Sequence, residues 1–176
     1  MSFLLGSTVA LRTVSQEDLH RLADWRNDPE IRIRTREFRP LTKVDQAEWF
    51  ARIVGLNRRD FMFVLTALPS GSPIGLVGLC HWDPRDRTAE ISFYVGEKGE
   101  RQRGLATEGL RLLIAYGFGE IGLDRIDAEV YDFNEPCLKL LGKLGFVREG
   151  VKRDAVWRNG RRCDSVILGL LRKDCQ

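Results

Sequence analysis

Arg101-Gln102-Arg103-Gly104-Leu105-Ala106 decides how this chain is read. It follows a β-rich run, Ile91–Val95, and leads into a helical pattern starting near Thr107. The first turn of a helix carries unpaired backbone N–H groups and the positive end of the helix dipole, so it attracts phosphate. Gly104 lets the backbone come close to a ligand, and Arg101 and Arg103 add positive charge. A strand, a glycine loop and a helix in that order predict a loop that grips a pyrophosphate. Arg-x-x-Gly-x-Ala alone is common, so its meaning depends on what flanks it.

The chain has 176 residues, 43% hydrophobic and 30% charged, which fits one globular domain spanning residues 1–176 with a real core. Its apolar runs fall short of the roughly 20 residues that span a bilayer. Met1-Ser2-Phe3-Leu4-Leu5-Gly6 lacks the basic start and the apolar length of a signal peptide, so a cytoplasmic protein with no membrane partner is expected. A net charge of +3 is too small to argue for nucleic acid. The four cysteines, Cys80, Cys137, Cys163 and Cys175, are not in Cys-x-x-Cys spacing, and only His20 and His81 could join them. No metal is expected, and the thiols read as reduced.

Outward from the loop, the periodicities place the other elements. Val9–Val14 reads as a strand, and Ser15 and Thr42 read as caps of two helices, the second running to about Val54. Phe61–Leu68, Ile74–Trp82 and Thr88–Val95 read as three strands with short connections, so they pair antiparallel. The helix from Thr107 puts Leu110, Leu113, Ile114 and Phe118 at core spacing. Asp124–Tyr131 is the next strand, and a strand-helix-strand order implies a parallel neighbour. A short helix, Pro136–Leu144, precedes strands at Phe146–Arg153 and Cys163–Leu171, with a shorter extended piece at Ala155–Arg158 and a hairpin turn at Asn159-Gly160.

Gly117-Phe118-Gly119-Glu120-Ile121-Gly122 matches the Gly-x-Gly-x-x-Gly of dinucleotide-binding folds. Such a fingerprint must follow a strand and open a helix. Here it closes a helix and precedes a strand, so it reads as a glycine-rich helix stop. An NAD-dependent oxidoreductase is a remote alternative.

The ordered set of Glu90-Ile91-Ser92-Phe93-Tyr94-Val95, the loop, a helix, a parallel strand, Asn134-x-x-Cys137 and Gly145-Phe146 resembles the GNAT superfamily of N-acetyltransferases. The likeness is densest from about Ile74 to Leu171. Leu22–Arg32 and Glu48-Trp49-Phe50 are similar to the branch holding ribosomal-protein and nucleotide-amino-sugar N-acetyltransferases. The resemblance implies an α/β fold with a mixed, mostly antiparallel twisted sheet of about seven strands, a splayed parallel pair, and about four helices. It implies acetyl-CoA as cosubstrate, with the pantetheine on the backbone of Phe93, Tyr94 and Val95. The pyrophosphate would lie on Arg101, Arg103, Gly104, Leu105, Ala106 and Thr107. Asn134 would touch the pantetheine arm or a water.

The chemistry needs a base for the amine, a donor for the thioester oxygen, and an acid for the leaving thiolate. Glu90 is the candidate base, with His81 and Glu129 in reserve, and the alternative is a strand glutamate paired with an arginine. A backbone N–H near Val95 is the candidate oxyanion donor. Many family members carry a Tyr acid where this chain has Leu141; Cys137 is the candidate here, and a small buried cysteine or a water acid are the alternatives. Arg32, Arg34, Arg36 and Arg39 crowd the segment that borders the acceptor in this fold. They suit an acceptor carrying phosphate or carboxylate, such as a nucleotide-linked amino sugar or an acidic protein terminus, better than a polyamine. A solvated basic loop is the other reading, and Arg158, Arg161 and Arg162 share the ambiguity. A non-catalytic CoA-binding sensor is the second functional reading, and a homodimer is plausible in this fold.

Overall fold

The computed structural model describes residues 2–56 and 58–175. Its strands are β1 (Leu4–Leu5), β2 (Val9–Thr13), β3 (Phe61–Ala67), β4 (Ser72–Asp83), β5 (Thr88–Val95), β6 (Arg125–Tyr131), β7 (Val147–Arg158) and β8 (Arg161–Leu171). Its helices are α1 (Leu19–Asn27), α2 (Pro29–Arg32), α3 (Lys43–Val54), α4 (Leu105–Tyr116) and α5 (Glu135–Lys143). The strands form one sheet in the order β1-β2-β3-β4-β5-β6-β8-β7. Every pairing is antiparallel except β5 with β6. The fold is the mixed sheet that the sequence predicts, with eight strands where about seven are expected and five α-helices where about four are.

The differences have local causes. β1 is two residues long, too short for any alternation to register. α4 begins at Leu105 and not at Thr107, because Gly104, at φ +79°, serves as its N-cap and its carbonyl accepts from the Thr107 amide at 2.9 Å. The piece at 155–158 and the strand before it form one continuous β7, paired with β8 through two irregularities. Both expected caps are present in the structure. The Asp18 carboxylate accepts from the Ser15 amide at 2.8 Å, and Thr42 and Asp45 bond each other reciprocally at 2.7 and 3.2 Å. The glycine-rich stretch after α4 is a π turn, Gly117–Ile121, ended by Gly122 at φ +80° just before β6.

Side chains on a strand alternate between faces, and β5 shows what this does here. Ala89, Ile91 and Phe93 pack into the core under α4 and α5, with Leu110, Leu113 and Leu141. Tyr94 packs on the opposite face among Leu22, Trp25, Trp49 and Ile53, under α1 and α3. The sheet is thus the middle layer. Leu110 and Leu113 are fully buried, and burying each such side chain contributes roughly 1.5–3 kcal/mol. Gly109 lets α4 sit close to the sheet, since a Cβ there would stand 2.5 Å from a Leu65 methyl.

The feature that positions the site is the short contact between β5 and β6. They pair at Thr88, Ala89 and Glu90, opposite Arg125, Ile126 and Asp127, and nowhere further. β5 stays on β4 as far as Val95, and β6 stays on β8 as far as Tyr131. Beyond Glu90 the two parallel strands therefore diverge, leaving a wedge.

Candidate active site

A groove of about 1350 Å³ opens from this wedge. One wall is β5 from Glu90 to Val95, the other is Ala128–Val130 with α5, and the glycine loop closes one end. Of the sequence-predicted residues, Glu90, Phe93, Tyr94, Val95, Arg101, Gly104, Leu105, Ala106, Thr107, Asn134, Cys137, Arg34 and Arg36 line it. Arg32, Arg39 and Arg103 do not.

At the loop, the amides of Gln102, Arg103, Gly104, Leu105 and Ala106 donate no hydrogen bond among the described residues. The Thr107 amide is spent on Gly104. A Cβ placed on Gly104 would meet nothing within 4 Å, so the space above it is open. Four adjacent free amides, Arg103 to Ala106, at a helix start can hold a diphosphate. Arg101 is differently engaged. Its guanidinium donates to the carbonyls of Val95 and Gly96 at 3.1 and 3.2 Å and meets Glu30 at 2.5 Å. It braces the loop against the end of β5 and against α2. Arg103 pairs with Glu100 at 2.7 Å.

At the wedge's vertex, Arg36 reaches across both strands. Its guanidinium lies 2.5 Å from Glu90 on β5 and 3.6 Å from Glu129 on β6. Burial acts to raise the Glu129 pKa, but hydrogen bonds from Ser165 and Lys152 and the charge of Arg36 outweigh it and hold the carboxyl below its usual range. Ser165 Oγ donates to Glu129 at 2.7 Å, and Lys152 lies 3.0 Å away. The arginine cluster is thus largely spent within the protein. Arg34 donates to the Glu30 carbonyl, and Arg39 pairs with Glu37 at 2.8 Å. Arg158 clamps the segment from β7, donating to the Thr35 carbonyl at 3.0 Å and to Tyr131 Oη at 3.0 Å, with its guanidinium over the Tyr131 ring.

Cys137 stands in the first turn of α5 and is partly buried on the core side. Burial pushes its thiol up to about 12. Leu141, where many members of the resembled family carry a Tyr, is fully buried. The Asn134 side chain makes no hydrogen bond among the described residues. His81, at φ 57°, is exposed at the groove's edge with its amide bonded to Asp60 at 3.0 Å.

Sequence reading overlooked two polar side chains in the groove. Arg26, on the last turn of α1, has no carboxylate within salt-bridge reach among the described residues, while Gln46, on α3, is 6% exposed. Both sit on helical faces whose apolar neighbours, Leu22 and Trp49, read as core, which hid them.

Comparison with known proteins agrees with this geometry. The family profile described as acetyltransferase (GNAT) domain matches residues 8–147. An uncharacterised N-acetyltransferase, p20, of Bacillus licheniformis is 30% identical over 99% of this chain and 98% of its own length. The human alpha/beta-tubulin-N-acetyltransferase 9 is 27% identical over 82% of this chain and 75% of its own. The fold matches spermidine N-acetyltransferase of Vibrio cholerae, solved with CoA and spermine, at a TM-score of 0.87 and 24% identity, over 96% and 98% of the two chains. With the diverging parallel pair, the glycine loop at a helix start and the family match over most of its length, this chain belongs to the GNAT superfamily and is an N-acetyltransferase.

Proposed function

We propose that the protein transfers the acetyl group of acetyl-CoA to a primary amine by direct attack, with Glu90 as base. The observation that carries this reading is one continuous groove joining the free amides of the loop, the unpaired edge of β5 and the Glu90 carboxylate. The pantetheine lies along Phe93, Tyr94 and Val95, the pyrophosphate on the amides of 103–106, and Asn134 on the pantetheine arm. The amine nitrogen attacks the thioester carbon, forming C–N and breaking C–S. Its proton passes to Glu90, directly or through a water. A backbone N–H near Val95 stabilises the oxyanion. The leaving thiolate takes its proton from the Cys137 thiol or from a water; burial, which pushes that thiol up to about 12, favours the water.

The acceptor is a protein N-terminus or an amino sugar carrying phosphate. Glu90 and Glu129 offer the negative charge that holds an ammonium before it loses its proton, once the acceptor's amine takes the place of the Arg36 guanidinium. The exposed edge strand β7, which presents Val147 and Trp157 to solvent, is the face expected to pair two copies into a homodimer; light scattering of the purified protein tests this.

The deciding experiment is mass-spectrometric detection of product after incubation with acetyl-CoA and a panel of nucleotide amino sugars, peptides with free N-termini, polyamines and aminoglycosides. One acetylated species that grows linearly with time and enzyme supports the reading and names the acceptor. Acetylation of polyamines alone would overturn the acceptor assignment.

A further inference from the structure

The groove holds two buried polar atoms without partners, and they belong to neighbouring side chains. Arg26 Nε and the Tyr94 hydroxyl are both buried and make no hydrogen bond among the described residues. The Arg26 guanidinium carbon lies 5.9 Å from the centre of the Tyr94 ring. Both residues line the groove. A buried donor left unsatisfied costs roughly 1–3 kcal/mol, more when charged, so a native structure seldom carries two side by side without a use for them.

Contacts among the described residues do not satisfy them. The cation–π geometry and the C-terminal end of α1 account for where the guanidinium sits. Neither supplies an acceptor directed at its N–H groups. Glu30, on α2 and also lining the groove, is held by Arg101 at 2.5 Å. Every other sequence-predicted arginine that lines the groove is engaged: Arg34 with a carbonyl, Arg36 with Glu90, Arg101 with Glu30. Arg26 is the groove arginine without such a partner among the described residues. Gln46 sits on α3 one turn before Trp49, which packs in the same cluster as Tyr94, and the Gln46 side-chain amide makes no hydrogen bond among the described residues. Burial pushes the Tyr94 phenol well above its usual range, against a smaller opposite pull from Arg26, so the hydroxyl keeps its proton and can donate.

We infer that Arg26 and Tyr94, in the groove that Gln46 also lines, form an anion subsite for the acceptor: a pocket that takes a carboxylate or phosphate on the molecule whose amine is acetylated. It rests on the acetyl-transfer reading above. Glu90 and Tyr94 share one face of β5, four residues and so about 13 Å apart along the strand. The acceptor therefore spans from an ammonium end at Glu90 to an anionic end at Arg26. A guanidinium suits such a group because it offers paired donors that match two oxygens. An amine with no anion within this reach, as in a polyamine, leaves the two donors unsatisfied.

The test is isothermal titration of the CoA-saturated protein, so that the loop amides are occupied, with inorganic phosphate and, separately, succinate. Saturable binding of one of them is expected in the wild type, weakened at least tenfold in Arg26→Gln, partly kept in Arg26→Lys and weakened less in Tyr94→Phe. The arm that binds tells phosphate from carboxylate. Binding of neither to the wild type, or binding unchanged in Arg26→Gln, overturns the subsite. So does an Arg26→Gln protein in which CoA affinity falls by the same factor, since Arg26 would then be a cofactor contact. A wild-type protein that binds no CoA would instead overturn the acetyl-transfer reading, and the same titration on the free protein would still decide the role of Arg26.

Discussion

Arg36 and Glu90 stand 2.5 Å apart, although 54 positions separate them in the chain. The contact joins the acceptor-side segment to the strand that carries the candidate base. It makes Glu90 an ion-paired strand glutamate that lines the groove, and its part as the proposed base is open to a direct test. Glu90→Gln is expected to lower kcat by about 10²–10⁴ and to remove the acidic limb of the pH–rate profile. Acetyl-CoA affinity, measured by titration calorimetry, should stay unchanged. A full-rate variant would move the base elsewhere, with Glu129 next.

Arg36→Ala should leave Glu90 and Glu129 without the guanidinium that bridges them. A cationic amine then meets two carboxylates with one fewer competitor. The expected outcome is a several-fold lower acceptor KM with an unchanged acetyl-CoA KM, read from initial rates over both substrates. A raised acceptor KM would mean that Arg36 itself grips the acceptor.

Cys137 and Cys80 are both pushed up to about 12 by burial, whereas Cys175 is exposed. A thiol that keeps its proton is a slow nucleophile. Iodoacetamide near neutral pH should therefore label Cys175 first, as peptide mapping would show. If Cys137 is the acid, Cys137→Ala cuts turnover several-fold and Cys137→Ser keeps most of it. Equal rates in all three proteins would leave Cys137 a packing residue.

Gly104→Ala asks an L-residue to hold φ +79°, at a cost of about 1–2 kcal/mol. No side-chain clash follows, because the space is open. The expected result is a fall of a few degrees in Tm and a several-fold weaker acetyl-CoA Kd, as the loop amides lose their alignment. An unchanged Kd would remove the loop from the cofactor site.

Glu108 on α4 accepts from the hydroxyls and amides of Thr8 and Ser7, which bring its carboxyl from the usual 4.5 down to about 2. A carboxylate with a depressed folded-state pKa adds stability above its unfolded value and loses it as pH falls through the folded one. Tm should therefore drop between about pH 4.5 and 2. Glu108→Gln should lower Tm at pH 7 and flatten that decline; an identical pH profile would make the contact unimportant.

The elements were largely legible because each has a local cause. Ser15 and Thr42 cap helices, Asn159-Gly160 turns a hairpin, and apolar spacing marks α4. The loop was legible for the same reason, since Gly104 has one role that its neighbours allow. The pairing of charges was not. Arg36 finds Glu90 and Arg158 finds Tyr131 only after the sheet has formed, and nothing in the run 32–39 says that its arginines are spent. Arg26 was missed for the converse reason. It lies among residues patterned as core, and only the folded protein shows that its guanidinium lacks a partner among the described residues.

The divergence of β5 and β6 has a mechanical side. Five strands on one side and three on the other are stitched together by three rungs, at residues 88–90 and 125–127. The sheet resembles two panels on a short hinge, with the longer part of the seam left open. A ligand that lies in the seam and bonds both edges acts as an extra strand made of something other than protein. Occupancy would then add a second tie to the core cluster that both panels share, and the empty and filled forms should differ in how hard it is to pull the panels apart.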